Sequence, residues 1–385
     1  MEYIKTSDKN VMDTYGRFQI VIEKGKGGRL TDINGKEYID FTSGIGVSSL
    51  GYGDKKLTKA ISAQAKKLCH ISNLYYSLPY TNLSEKIIAA TGAKKVFFAN
   101  SGAETNEGAI KLARKYSFDK YGAGRANIIT LTNSFHGRTV TTLAATGQDE
   151  LHQFFDPFTP GFIHCQSEDI KELKSKIDST VCAVMIEIIQ GEGGVVPLSK
   201  KYLKSVEEIC KAGDILLIVD EVQTGVGRTG SFLAVQGAGI TPDIVTLAKG
   251  LGGGLPIGAF LAYEKCENTL GKAQHGSTFG GNPVACAAAC EVIDRVDTKR
   301  FLSVVKRKGK YIKNKLENNP KIKNVRGEGL MIGFDIECDN KELINKLNMA
   351  GLLCLSAKKA VRLLPPLTIS YKDIDAGLKI LEENL

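Results

Sequence analysis

Ile215-Leu216-Leu217-Ile218-Val219-Asp220-Glu221 and, further on, Ile244-Val245-Thr246-Leu247-Ala248-Lys249-Gly250 are the two segments that decide the fold. Each is a short, continuous apolar run that stops abruptly at charge or glycine. A strand with one wet face would alternate apolar and polar residues. A run without alternation is buried on both faces, as in a parallel sheet covered by helices. Val96–Ala99, Ile128–Leu131, Ala183–Ile188 and Ile257–Ala262 are runs of the same kind. Helical patterns separate some of them, one continuing from Asn100 to Lys120 and another over Lys200–Ala212. The expected class is therefore α/β, a mostly parallel sheet covered by helices.

The flanks read differently. Phe18–Glu23, Arg29–Asp32 and Lys36–Phe41 are expected to be short strands, with Gly27-Gly28 and Asn34-Gly35 at the turns. Asn-Gly is a strong hairpin signal. Beyond Val296 the pattern loosens into long helices (Arg300–Glu317, Asp339–Ala350, Tyr371–Glu383) around strands near Val325–Glu337, Leu352–Leu355 and Val361–Leu364. The expected division is an N-terminal segment 1–50, a large α/β domain 51–295 and a smaller α+β domain 296–385.

Composition excludes several classes. The 385 residues carry 51 Lys+Arg against 42 Asp+Glu, a net +9 with no concentrated basic patch, so a nucleic-acid partner is not expected. Nine cysteines without a C-x-x-C pair exclude a disulfide scaffold and a zinc site, and point to a reducing, cytoplasmic setting. Cys286 and Cys290 read as small core residues on one helix face. Residues 1–10 are polar, which is unlike a signal peptide, and the apolar runs fall far short of the roughly 20 residues of a membrane span. The 41 glycines are well above the usual ~7%. Gly225-Val226-Gly227-Arg228-Thr229-Gly230 fits a dinucleotide fingerprint literally, but it neither follows its strand directly nor precedes a strand that ends in an acid.

In open parallel sheets function gathers at the carboxyl ends of strands. Asn100-Ser101-Gly102-Ala103-Glu104-Thr105-Asn106 follows one strand and opens a helix. It suits either a phosphate at the helix N-terminus or a plain capping box of Ser101 and Glu104. Asp220 is either a paired structural carboxylate or the partner of a protonated ring nitrogen. Lys249, beside a glycine run, is either a solvated lysine or one that condenses with a carbonyl cofactor. Found together at successive strand ends, the three favour the chemistry of pyridoxal phosphate.

These segments belong to longer motifs, among them Phe98–Glu104, Ser134–Thr139, Gln190–Gly194, Asp220–Gly225, His275–Pro283 and Val361–Leu367. With these motifs the chain resembles the class-III, fold-type-I pyridoxal-phosphate aminotransferases that act on terminal amines, most closely their acetylornithine branch. The resemblance runs nearly end to end. It implies the fold-type-I transferase fold and the cofactor pyridoxal 5′-phosphate. Lys249 would be the Schiff-base lysine, Asp220 the partner of the ring nitrogen and Gln223 that of the ring hydroxyl. Ser101, Gly102 and Ala103 would hold the phosphate, with Phe135 and Val222 against the ring. Thr278 would reach the neighbouring subunit's phosphate, which makes a homodimer part of the site, and Ser277 would stand beside the substrate. Arg362 would hold the α-carboxylate of glutamate or 2-oxoglutarate, with Glu192 covering it otherwise, and Arg138 would hold the far carboxylate. Ile45 stands where ornithine enzymes of the family have a Tyr, and an apolar residue suits an acylated amine. The implied reaction moves the terminal amine of N-acetylornithine to 2-oxoglutarate, in arginine biosynthesis. Succinylornithine, succinyl-diaminopimelate, ornithine and 4-aminobutyrate are the alternative amines, and a glutamate-semialdehyde aminomutase is the alternative reaction. Two departures stand out: no His follows Gly51 closely in Leu50-Gly51-Tyr52-Gly53, and Ile188 replaces a customary Pro after Glu187.

Overall fold

The computed structural model describes residues 2–385. Its centre is a seven-stranded sheet made of β1 (Lys95–Ala99), β2 (Asn127–Leu131), β3 (Phe162–Cys165), β4 (Val181–Ile186), β5 (Leu216–Asp220), β6 (Ile244–Leu247) and β7 (Gly258–Ala262), in the order β1-β7-β6-β5-β4-β2-β3. All neighbours pair in parallel except where β7 runs antiparallel to β6 and β1. The apolar runs predicted this sheet. The orientation of β7 was not legible, because an apolar run looks the same in either direction. The half-buried edge strand β3 also escaped notice.

Both faces of the sheet are covered, which is why its strands do not alternate. Leu216, Ile218 and Ile244 pack with Ile110, Leu112 and Ala113 of the helix α1 (Gly102–Tyr121). Leu217, Val219 and Val245 point the other way, into a second cluster with Leu203 and Val206 of α2 (Lys200–Ala212). Parallel register sets Asp220 opposite Thr246 and Val219 opposite Ile186. The carboxyl ends of β4, β5 and β6 therefore lie side by side, with Asp220 closing β5 and Glu187 and Lys249 on the segments that leave β4 and β6.

A second, antiparallel sheet is built from Ile322–Glu328, Met331–Ile336, Leu355–Ala357 and Ala360–Leu363, with helices over Lys299–Glu317, Asn340–Ala350 and Tyr371–Asn384. The N-terminal strands Ile22–Lys26, Arg29–Asp32 and Glu37–Asp40 form a meander, turned at Gly35 (φ 83°). The first of them lies a few residues further on than Phe18–Glu23. Leu352–Leu353, from the far end of the chain, completes this sheet in parallel with Glu37–Asp40. Cys286 is fully buried and Cys290 packs against the core, and both are free thiols.

The G-x-G-x-x-G segment is a packing device. Cβ atoms at Gly227 and Gly230 would lie 2.4 Å from Val296 and 2.3 Å from Lys306. Between these glycines Arg228 is buried and donates to the carbonyls of Leu330 (3.0 Å) and Pro365 (2.5 Å). Burial lowers its pKa to about 9. A guanidinium there ties three distant segments together through their backbones. Gly309, on the helix Lys299–Glu317, meets the same region, and a Cβ there would stand 2.0 Å from the Gly329 carbonyl oxygen. Gly309→Ala should therefore lower stability by about 1–3 kcal/mol, the usual cost of overpacking, as measured by urea unfolding.

Candidate active site

Asp220 ends a fully buried strand and is itself 4% exposed. A carboxylate stripped of water needs donors, and three converge on it. Asn106 Nδ2 and His136 Nδ1 both reach Oδ2 at 2.8 Å, and the Val222 N–H donates to Oδ1 at 2.9 Å. Asn106 comes from the buried face of α1 and also donates to the His136 carbonyl at 2.7 Å. His136 is fixed in turn by its own N–H, which donates to Thr146 Oγ1 at 2.9 Å.

Asp220 opens onto a cavity of about 480 Å³ at the carboxyl edge of the sheet. One wall is the start of α1. Ser101 caps this helix by accepting from the Glu104 N–H, and Glu104 reaches back to the Asn100 N–H at 3.0 Å. The Ser101 cap is thus formed without the full box, since Glu104 accepts from the residue before the cap and not from the Ser101 N–H. The cap satisfies the third N–H of the helix and leaves those of Gly102 and Ala103, on the cavity wall, without an acceptor inside the helix. Glycine is required at 102, where a Cβ would lie 2.7 Å from Val222. Phe135, Val222 and Gln223 line other walls.

Lys249 follows β6 in a left-handed conformation (φ 41°) that costs a lysine about 1–2 kcal/mol. The residue is half-buried and lines the cavity, and among the described residues its ammonium has no hydrogen-bond or ion-pair partner. Desolvation depresses its pKa, against the opposing pull of Glu192, Asp220 and Glu187. The neutral, nucleophilic amine is therefore present at lower pH than for a lysine in water.

Arg362 is 3% exposed on the strand Ala360–Leu363. It is paired bidentately with Glu192, Nη1 to Oε1 at 2.6 Å and Nη2 to Oε2 at 3.2 Å. Nη1 also donates to Gln223 Oε1 at 3.2 Å, while Nε has no partner. Burial works to raise the Glu192 pKa, but the Arg362 charge and hydrogen bonds outweigh it and hold the carboxyl below its usual range. Arg138 lies exposed on the cavity rim, 5.8 Å from the centre of the Phe135 ring, and among the described residues it has no carboxylate partner.

Five expected residues lie off the lining of this cavity: Glu192 and Arg362, which reach it through Gln223, and Ile45, Ser277 and Thr278. Ile45 sits, 43% exposed, in a left-handed turn formed by Ser43, Gly44, Ile45 and Gly46, and Val47, which follows that turn, is on the cavity wall instead. Ser277 accepts from Asn100 Nδ2 at 3.1 Å, and Thr278 is exposed beside Phe279, which is 61% exposed. Conversely, Asn106, His136 and Glu187 belong to the site without having been singled out. A polar side chain among the apolar positions of a helix is the signal that could have found Asn106.

Every element of pyridoxal phosphate finds a counterpart in this cavity. Asp220 would suit a protonated ring nitrogen, Phe135 a ring face, the free N–H groups at the helix start a phosphate, and the unpartnered Lys249 amine an aldehyde. The family model for class-III aminotransferases matches residues 11–385. The chain is a class-III aminotransferase. An acetylornithine aminotransferase of Haemophilus ducreyi is 49% identical over 388 residues, spanning 100% of this chain and 98% of its own. Among solved structures, the N-acetylornithine aminotransferase of Stenotrophomonas maltophilia is 36% identical with a TM-score of 0.86, covering 99% and 98% of the two chains. The ornithine aminotransferase of Toxoplasma gondii is 32% identical with a TM-score of 0.94, covering 100% and 93%, and carries pyridoxal phosphate at partial occupancy in its active site. This class-III aminotransferase shares their fold-type-I architecture and their cofactor. None of its helices, among the described residues, is long and apolar enough to cross a membrane.

Asn106→Ala takes one of three donors from Asp220 and leaves the His136 carbonyl unpaired. The cofactor-free variant should lose about 1–3 kcal/mol in urea unfolding, and its dissociation constant for pyridoxal phosphate should rise.

Proposed function

We propose that this aminotransferase moves the terminal amino group of N-acetylornithine to 2-oxoglutarate, giving N-acetylglutamate semialdehyde and glutamate within arginine biosynthesis. The observation that carries the reading is the Arg362–Glu192 pair beside the cavity. Glutamate and 2-oxoglutarate bring a carboxylate next to their reacting carbon, and a terminal amine does not. A site that serves both in turn needs a cation for the first and a way to neutralise it for the second. Arg362 is that cation, and Glu192 is the in-chain carboxylate that replaces the missing one. Arg138, unpaired at the rim, takes the far carboxylate of either substrate, and its planar fork suits that group.

Bound pyridoxal phosphate supplies an aldehyde for the amine and an electron-poor ring for the charge that develops when the substrate carbon loses its proton. Lys249 holds the aldehyde end of the cofactor and then, as a neutral amine, carries the proton from the substrate carbon. Asp220, fixed by its three donors, would pair with the ring nitrogen and hold the proton there. Gln223 faces the ring hydroxyl, Ser101, Gly102 and Ala103 bind the phosphate, and Phe135 and Val222 hold the ring between them. Ile45, on the turn that presents Val47, meets the acyl end of the substrate, and Ser277 stands beside it.

The exposed segment around Thr278 and Phe279 fits a homodimer in which Thr278 completes the neighbouring subunit's phosphate site. The three-part division at residues 50 and 295, and a cytoplasmic location, belong to the same reading. The likeness to the Toxoplasma gondii ornithine enzyme supports a second reading with ornithine as the amine.

The deciding experiment mixes the cofactor-loaded enzyme with each candidate amine and follows conversion of the cofactor spectroscopically. N-acetylornithine should react fastest, and ornithine or 4-aminobutyrate outpacing it would overturn the substrate assignment. Lys249→Ala should slow this half-reaction by at least about 10²-fold, the low end for losing a positioned acid–base group.

A further inference from the structure

Glu187 has no role in the mechanism above, and its placement is costly. It leaves β4 beside Asp220, is 5% exposed, lines the same cavity, and pairs with no cation among the described residues. Its two oxygens are instead divided between two segments. Oε2 accepts the Phe135 N–H at 3.1 Å, and Oε1 accepts the Gly191 N–H at 3.2 Å. Burial raises its pKa against the pull of His136, and the nearby Asp220 charge raises it further. A buried carboxylate without a counter-ion is poor value as a structural staple, since an apolar residue would pack there at less cost.

The partners of this carboxylate suggest what it secures. Gly191 immediately precedes Glu192, the residue paired with Arg362. Gly191 is also wedged against the cofactor-facing wall, where a Cβ would lie 2.4 Å from Gln223 Oε1. That same oxygen accepts from Arg362. The Gly191 peptide is thus held from one side by Glu187 and from the other by Gln223, and its position determines where the Glu192 side chain starts.

We propose that Glu187 is a positioning residue for the Glu192 gate: by spanning the Phe135 and Gly191 N–H groups it keeps Glu192 closed on Arg362, and so sets the balance between dicarboxylate and terminal-amine substrates. The inference rests on the reading of Arg362 as the α-carboxylate site. Its sign is distinctive. Glu192 competes with a substrate carboxylate for Arg362, so loosening Glu192 should strengthen dicarboxylate binding, whereas general damage to the site would weaken it.

Glu187→Gln leaves one oxygen for two N–H groups, so the span is broken whichever way the amide turns. Glutarate, an unreactive dicarboxylate, is titrated into the cofactor-loaded enzyme by calorimetry. Glu187→Gln should bind it about fivefold tighter, within the range of couplings between contacting residues, while KM for N-acetylornithine rises. Glu192→Gln should do the same, and adding Glu187→Gln to it should change neither value further. Glutarate affinity unchanged or weakened in a folded, cofactor-loaded Glu187→Gln enzyme would overturn the inference, as would additive effects in the double variant. If Glu187→Gln does not fold, Glu187→Asp, whose shorter arm reaches only one N–H, decides by the same titration. A wild-type enzyme that took neither 2-oxoglutarate nor glutarate would overturn the reading of Arg362 and this inference with it. Normal wild-type binding with an unmoved variant would overturn this inference alone.

Discussion

A negative charge at the end of a fully buried strand is the constraint around which the rest of the site is arranged. Asp220 cannot remain there as an anion unless donors surround it, and those donors come from different parts of the chain. Asn106 supplies one from the buried face of α1, His136 one from the loop after β2, and Val222 one from the segment that follows Asp220 itself. Holding these three in place also holds what lies beside them: the start of α1, the Phe135 loop and the Gln223 segment. The cavity walls are thus consequences of solvating one carboxylate with protein instead of water.

The opposite charge imposes the second constraint. Arg362 is nearly inaccessible, yet it is neutralised by Glu192, a residue 30% exposed at its side chain and carried on a loop, not a strand. The asymmetry between a fixed cation and a carboxylate on a looser segment suits a site that alternates between two kinds of substrate. A rigid, fully buried pair would have been a structural salt bridge and nothing more. Arg228 shows the contrast within the same molecule. It too is a buried guanidinium, but it is satisfied by backbone carbonyls on segments that have no reason to part.

Lys249 and Asp220 were legible in the sequence because charge at the end of an unbroken apolar run is conspicuous, and the runs themselves gave most of the central sheet. The direction of β7 and the edge strand β3 were not legible. Pairing partners, not local composition, decide the direction of β7, and β3 is a half-buried edge strand without a wholly apolar run. Asn106 is marked only as a polar residue among apolar helix positions, and His136 and Glu187 acquire meaning only when the topology brings them to Asp220 and Gly191. The turn at 43–46 hid in another way. Ser43 and Ile45 adopt positive φ without being glycine, so nothing in their identity announced that Val47 would be the residue on the cavity wall. The G-x-G-x-x-G segment is the reverse case, a motif legible in the sequence whose glycines serve close packing.

The N-terminal sheet carries a further consequence, one of timing. Its meander of Ile22–Lys26, Arg29–Asp32 and Glu37–Asp40 lacks a fourth strand until Leu352–Leu353 arrives. During synthesis on the ribosome the whole central sheet emerges between the two. Until then the Glu37–Asp40 edge presents open backbone donors and acceptors, the kind of surface on which nascent chains stick to one another. The pairing is also strongly non-local, and such pairings slow folding. The Glu37–Asp40 edge is therefore sealed only after Leu352–Leu353 has been made.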